Sequence, residues 1–140
     1  MSFSRHSIRV AAFKALFALE TNPEADKRDL YENKAVLPLN EGEPVPTFLE
    51  ELVTGVVDHQ AELDQLIQEH LASGWTLNRI ARPNLVILRL ATYELRYNSE
   101  VPTAVVINEA LELAKDFSDE TSRKFINGVL GNLEKEFPRN

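Results

Sequence analysis

Apolar residues recur along most of this chain at steps of three and four, the period of an amphipathic helix rather than of a strand. Residues 103–117 show the pattern clearly, through Val106, Ile107, Ala110, Leu111, Leu113, Ala114 and Phe117. The only strand-like run is "VPTAVVI", and it leads directly into this helical stretch. The pattern therefore predicts an all-α fold of about seven helices.

A long, proline-bearing loop is predicted to separate a first group of helices from a second. A first helix is expected over about residues 4–19, and residues 20–46 hold four prolines around one short, weakly helical stretch. Thr47 and Glu50 then have the spacing of a capping box, which predicts the start of a third helix. The helical pattern after it pauses near 58–59 and continues until Gly74, a residue that suits the position beyond a helix end.

A C-terminal helical group is expected over about residues 83–137. Its first member, Pro83–Tyr97, is dense in apolar residues and is predicted to be the central helix. The second runs over Thr103–Phe117, and the last opens at Ser118 and Asp119 and ends at Phe137, before a proline.

The pair Asn127–Gly128 conflicts with this last helix, because Asn-Gly between apolar residues is a strong signal for a β-hairpin. Its apolar neighbours recur at helical spacing: Ile126, Val129, Leu130, Leu133 and Phe137. We therefore expect a helix through Gly128, although an interior glycine costs about 1 kcal/mol against alanine. Gly128 and Gly131 lie off the apolar stripe, where each would let a backbone or an RNA strand approach closely.

The charge of the chain is unevenly distributed. Its formal net charge is −7, yet residues 1–19 carry three cations and no acid, so the other 121 residues carry −10. This asymmetry indicates a basic arm on an acidic body, with chance scatter as the alternative. There is no cysteine, no secretory signal and no apolar run of the roughly 20 residues that span a bilayer. A cytoplasmic protein without a membrane segment is expected.

The first helix has an apolar stripe and, opposite to it, a face that mixes cations with aromatic rings. That second face holds Arg5, His6, Arg9, Val10, Phe13, Lys14 and Phe17. Two interpretations remain open for Phe13 and Phe17. They are core residues of a helix buried on two sides, or they are rings that stack on unpaired RNA bases while the cations bind phosphates.

Candidate catalytic groups are few. His59 and His70 would lie about 16 Å apart on one continuous helix, too far to share a metal ion. The acidic row Glu109, Glu112 and Asp116 fits a solvated helix face better than a pair of catalytic carboxylates. Nucleotide-loop, zinc-protease and hydrolase motifs are missing from the sequence. We expect no metal, no cofactor and no enzymatic activity.

Four segments in combination identify a family: "FLEELVTGVVDHQAELDQLI", "LRLATYEL", "VVINEALELAKDF" and "SRKFINGVLGNL". They resemble the NusB family of bacterial transcription antitermination proteins over nearly the whole chain. The resemblance implies one all-helical RNA-binding domain over 1–140, built as two perpendicular three-helix groups. It also implies binding of boxA RNA in ribosomal RNA leader transcripts together with NusE, a small-subunit ribosomal protein. This assembly joins an antitermination complex on RNA polymerase and aids ribosomal RNA maturation.

The resemblance also assigns site residues. The RNA-binding positions fall on Arg5, His6, Arg9, Phe17, Phe117, Lys124 and Phe125. The partner-binding positions, linked to NusE contact, fall on Arg82 and Asn84. Asn84 stands where the family commonly has an acid linked to NusE contact, so this chain lacks a partner-facing charge at that position. The arm has fewer arginines than is common, so we expect weak RNA binding by the isolated chain without NusE. Lys124 and Phe125 are expected to lie beside the basic arm.

Two other functions stay open at this point. The chain is an acidic protein-interaction module without significant RNA binding, or it is the detached RNA-binding domain of a ribosomal RNA cytosine methyltransferase. The apolar face with Phe13 and Phe17 would also permit a homodimer that hides the RNA site.

Overall fold

The computed structural model describes residues 3–139, and within this range the protein is built from α-helices and two short 3-10 turns, without a strand. The helices are α1 (Arg5–Thr21), α2 (Lys27–Glu32), α3 (Thr47–Asp58), α4 (Gln60–Glu69), α5 (Arg82–Tyr97), α6 (Thr103–Phe117) and α7 (Glu120–Leu133). The 3-10 turns are Leu77–Arg79 and Glu134–Glu136. The predicted all-α class and the number of about seven helices are confirmed.

The chain forms two compact units, with the border inside α3 between Gly55 and Val56. The first unit holds α1, α2 and most of α3, which are three helices as the resemblance implies. The second unit holds the end of α3 and the four helices α4 to α7.

The first unit is organised by α1, which starts where the sequence provides a cap. The hydroxyl of Ser4 accepts a hydrogen bond from the backbone N–H of Ser7 at 3.0 Å, satisfying one of the free donors of the first turn. The predicted apolar stripe is buried: Ile8, Ala11, Ala12, Ala15, Leu16 and Leu19. α2, capped by Asp26, packs against α1. The predicted amphipathic helix is thus confirmed, two residues longer at its C-terminal end.

In the second unit α5 is the central helix, as predicted. It packs against α4, α6 and α7, and all but one of the residues from 84 to 95 are buried. Pro83 lies in its first turn, where a missing N–H costs nothing. Buried Arg89 pairs with Asp64 of α4 through two hydrogen bonds of 2.7 and 3.0 Å, so the charge inside this unit is compensated.

The predicted C-terminal ends of α4 and α7 and the predicted start of α3 are wrong. α4 ends at Glu69, and Gly74 has its left-handed φ of +88° in the following turn. The side chain of Gln68 donates to the carbonyl of Trp75 and accepts from the N–H of Leu77, which holds this turn against the helix end. Residues 134–136 form a 3-10 turn, so the last α-helix stops before Phe137.

The start of α3 also differs from the prediction. Thr47 is its first residue rather than its cap, and the carbonyl of Pro46 accepts the hydrogen bonds of Leu49 and Glu50. The predicted capping box is therefore displaced by one position, which is the usual uncertainty of a helix end.

The Asn127–Gly128 pair lies inside α7, so the helical period outweighs the hairpin signal as expected. A methyl group added at Gly128 or at Gly131 would meet nothing within 4 Å. No close neighbour within the described part of the chain requires a glycine at either position.

Candidate nucleic-acid interface

The N-terminal end of α1 brings two arginines to one aromatic ring. The guanidinium carbon of Arg5 lies 4.1 Å from the ring centre of Phe48, and that of Arg9 lies 5.5 Å from it. Both distances are within the range of a cation–π interaction. Arg5 is exposed, whereas Arg9 is only 3% exposed. The two arginines therefore differ in what they offer to a ligand.

The aromatic pair of α1 divides between core and surface. Phe13 is buried at 4% exposure, and Phe17 is exposed at 36%. The two rings stack at 6.0 Å between centres and 19° between planes, so Phe13 supports Phe17 from below. Phe13 thus belongs to the core, and Phe17 with exposed His6 belongs to the surface.

A groove of about 530 Å³ opens beside Arg5. Its walls come from the start of α1 and from the segment that leads into α3, and include Phe3, Arg5, Glu43, Pro44 and Phe48. This lining combines flat apolar surfaces with one cation and one acid.

In the second unit, the predicted RNA-binding residues lie around the start of α7. The carboxylate of Asp119 accepts the backbone N–H of Ser122 at 2.7 Å and caps the helix. This backbone hydrogen bond lowers the pKa of Asp119. Phe117 is half-buried in the last turn of α6, and Lys124 is exposed on α7. The helix start is thus fixed by a capping bond, with a cation displayed one turn further on.

Phe125 is half-buried and contacts the only tryptophan of the chain. The ring centres of Phe125 and Trp75 are 5.7 Å apart, and the guanidinium of Arg79 lies 4.9 Å from the Trp75 ring centre. A mostly apolar cavity of about 360 Å³ adjoins the two rings. The predicted proximity of Lys124 and Phe125 to the basic arm stays a prediction.

The two predicted partner-binding residues differ sharply. Arg82 is exposed at the start of α5. Asn84 is 5% exposed, and its amide donates to the hydroxyl of Ser122 at 2.8 Å and accepts from that of Ser118 at 2.7 Å. Asn84 therefore joins the start of α5 to the start of α7, and it offers little surface to a partner.

His59 and His70 each contact neighbouring residues of the fold. The ring of His59 lies 4.5 Å from that of Tyr97, centre to centre, and His70 is bound by Glu136 and by the carbonyl of Leu66. Within residues 3–139 no group of three or more His, Asp or Glu side chains is placed to hold a metal ion. Over the same residues no helix has the length and apolar character that crossing a membrane requires.

Two residues of these sites were not singled out from the sequence. By its spacing Phe48 belongs with the apolar residues of α3, so the sequence does not mark it as a contact of the α1 arginines. Trp75 stands in the connector between α4 and α5, where no periodic pattern marks it, and its one signal is the arginine four residues later, Arg79. Spacing along a helix does not reveal which cations reach a ring on another segment.

Comparison with known proteins agrees with the resemblance. The sequence model of the NusB family matches residues 6–135. The transcription antitermination protein NusB of Limosilactobacillus fermentum is 58% identical over 133 residues, covering 95% of this chain and 94% of that protein. The NusB of Enterococcus faecalis is 45% identical, covering 95% and 90%.

Solved structures lead to the same family. NusB of T. maritima superposes with a TM-score of 0.85 at 34% identity and covers 99% of this chain and 96% of that one. A crystal structure of the antitermination factors NusB and NusE in complex with dsRNA gives a TM-score of 0.78 at 26% identity, covering 95% and 97%. Since the family model spans residues 6–135 and close relatives are matched over nearly their whole length, the chain belongs to the NusB family.

Proposed function

We propose that this protein is a cytoplasmic transcription antitermination factor that binds the boxA element of ribosomal RNA leader transcripts together with NusE. The observation that carries the proposal is family membership over residues 6–135, which include exposed side chains at three of the positions assigned to RNA, His6, Phe17 and Lys124. A structural relative, NusB, forms a complex with NusE and RNA. The protein acts by binding and not by catalysing a reaction, and the result is an assembled complex on RNA polymerase.

The RNA contacts are divided between direct and supporting residues. Arg5 and Lys124 are exposed, so their charged groups are accessible to phosphates, and exposed His6 lies next to Arg5 on the same helix. Phe17 offers a partly exposed ring to an unpaired base. Phe117 and Phe125 are half-buried, so only part of each side chain is accessible to an RNA base. Arg9, at 3% exposure, supports the site rather than binding a phosphate directly.

The net charge explains why a partner is needed. The body of the chain carries −10 outside the first 19 residues, so it repels an RNA strand. A basic ribosomal protein that docks on this body neutralises the repulsion and extends the basic track, which makes RNA and partner binding cooperative. Arg82 at the exposed start of α5 is a candidate contact for NusE, and Asn84 supports that contact from inside.

The test is a comparison of two RNAs in the presence of NusE. A fluorescently labelled boxA oligonucleotide and a scrambled one of equal composition are titrated with the complex, and anisotropy gives both affinities. We expect boxA to bind at least about tenfold more tightly, or about 1.4 kcal/mol, which is the size of one base-specific contact. Equal affinities would contradict a boxA-binding function and would favour an interaction module that does not read RNA.

A further inference from the structure

Phe48 is placed to organise the RNA surface without being part of the assigned site. Its ring lies 4.1 Å from the guanidinium carbon of Arg5, closer than the 5.5 Å of Arg9. At the shorter distance the guanidinium of exposed Arg5 covers the ring.

A stacked guanidinium is well prepared to bind phosphate or a base edge. Its planar fork carries five N–H donors, and stacking uses the face of the group while the donors at its rim stay available. A free surface arginine loses rotamer freedom when it binds, and an arginine already held on a ring loses less. The Phe48 ring therefore converts a flexible cation into a preorganised one.

The position of Phe48 is itself fixed by the core. Phe48 is half-buried in the first turn of α3, and the next residue, Leu49, is fully buried. Leu52 and Val53, one turn further along, are also buried at 1% and 0% exposure. Pro46 precedes the helix and restricts the backbone that enters it. The ring thus stands on a rigid element.

Space for a strand adjoins this pair. The groove of about 530 Å³ is lined by Arg5 and Phe48 together with Phe3 and Pro44. Apolar walls suit a base or a ribose, and Arg5 supplies the charge for the phosphate. Glu43, also in the lining, repels phosphates and so favours the Arg5 side of the groove for the backbone of the strand.

We infer that Phe48 is a positioning residue of the RNA site, which acts by holding the Arg5 guanidinium over its ring in the orientation that binds RNA. The inference rests on the proposed function, because it names how one of the RNA contacts is made. It assigns a function to an aromatic residue of α3, a helix that otherwise holds none of the predicted RNA-binding positions.

The first test needs no RNA. In the unsubstituted protein the side-chain Nε–Hε resonance of Arg5 should be shifted upfield in an ¹⁵N–¹H spectrum, because the group lies over an aromatic face. In Phe48→Leu this resonance should move to its ordinary position, while in Phe48→Tyr it should remain shifted. An Arg5 resonance that is the same in all three proteins would overturn the inference.

The second test measures coupling in RNA binding. Phe48→Leu should weaken binding of the boxA oligonucleotide by the NusE complex about fivefold, and Phe48→Tyr should stay within about twofold, because a ring is retained. In an Arg5→Ala background the Phe48→Leu change should have no further effect, since the residue acts through Arg5. Circular-dichroism melts identify any variant that fails to fold.

The outcomes separate the inference from the proposed function. An equal loss from Phe48→Leu in both backgrounds, or no loss in either, overturns the role of Phe48 and leaves RNA binding intact. A complex of the unsubstituted chain that does not distinguish boxA from scrambled RNA overturns the proposed function, and this inference with it.

Discussion

Arg5 and Arg9 are one helical turn apart, yet their exposure assigns them different tasks. Arg5→Ala should weaken RNA binding and reduce the slope of log affinity against log salt by about 0.7, the value of one phosphate contact on a single strand. Arg9→Ala should leave that slope nearly unchanged and lower the free energy of unfolding by about 1–2 kcal/mol, because a side chain only 3% exposed is removed.

Titrations at several salt concentrations, together with urea melts, distinguish these effects. Arg28→Ala is a matched control, since it removes an exposed arginine of the same unit that lies 3.9 Å from Glu50. It should change neither property much. If Arg9→Ala reduced the salt slope as much as Arg5→Ala, Arg9 would be a direct phosphate contact after all.

Asn84, at the start of α5, is bonded to two serine hydroxyls, that of Ser118 just after α6 and that of Ser122 in the first turn of α7. Asn84→Ala should lower the free energy of unfolding by about 1–3 kcal/mol, because two part-buried hydroxyls lose their partner and a small cavity remains. Asn108→Ala, at an exposed position of α6, is the control and should stay within about 0.5 kcal/mol. Urea denaturation followed by circular dichroism measures both. An equally stable Asn84→Ala protein would show that these hydrogen bonds contribute nothing net.

The start of α7 depends on a charged cap. The hydrogen bond from the Ser122 N–H lowers the pKa of Asp119 below its usual 3.8, so the stabilisation is present above that pH and is lost as the pH falls through the lowered pKa. Asp119→Ala should lower Tm by a few degrees at pH 7. Asp119→Asn retains a capping oxygen, so its Tm should fall less.

Melts between pH 7 and pH 2 show the linkage directly. The difference in Tm between the unsubstituted protein and Asp119→Ala should shrink as the carboxylate is protonated. A difference that stays constant down to pH 2 would mean that the ionised carboxylate is not what stabilises the helix start.

The glycines of α7 lie on an open helix face. Gly128→Ala and Gly131→Ala should each raise the free energy of unfolding by about 0.5–1 kcal/mol, because an added methyl group meets no neighbour and the unfolded chain becomes less flexible. Gly74→Ala should do the opposite, since its φ of +88° strains any residue with a side chain. Chemical denaturation reports all three.

The same variants test whether an RNA strand approaches this face. If it does, Gly128→Ala should weaken boxA binding in the NusE complex while the protein becomes more stable. Unchanged affinity would show that the added methyl group meets no ligand, and the glycine would then have no explanation in packing or in binding.

Helix interiors were predictable from the sequence, and helix ends were less so. The period of apolar residues places α6 at its observed bounds, Thr103–Phe117. The end of α4 depends instead on Gln68, whose side chain binds the backbone of the following turn, and no periodic pattern encodes such a bond. A glycine signal at Gly74 therefore marked the turn rather than the helix end.

The candidate site was predictable in composition but not in exposure. Cations and rings on α1 follow from its sequence, whereas the 3% exposure of Arg9 depends on packing that includes Phe48, far along the chain. Likewise, Asn84 has a polar side chain at the start of a helix, and only its bonds to Ser118 and Ser122 show that it faces inward. Contacts between distant segments, not local spacing, decide these roles.

The whole molecule combines a small basic surface with a strongly acidic remainder. Two or three exposed cations on single-stranded RNA give a salt slope of only about −1.5 to −2, which is a weak electrostatic attraction. The −10 carried by the other 121 residues opposes it. A basic partner removes that opposition, so the affinity of this protein for RNA should depend on NusE more than on any residue of its own.

The most direct test of this account is a titration of boxA RNA with and without NusE at two salt concentrations, for example 50 and 200 mM. We predict that NusE raises the affinity for boxA at least about tenfold at the higher salt, with a much smaller gain for scrambled RNA. Equal boxA affinity with and without NusE at both concentrations would contradict it.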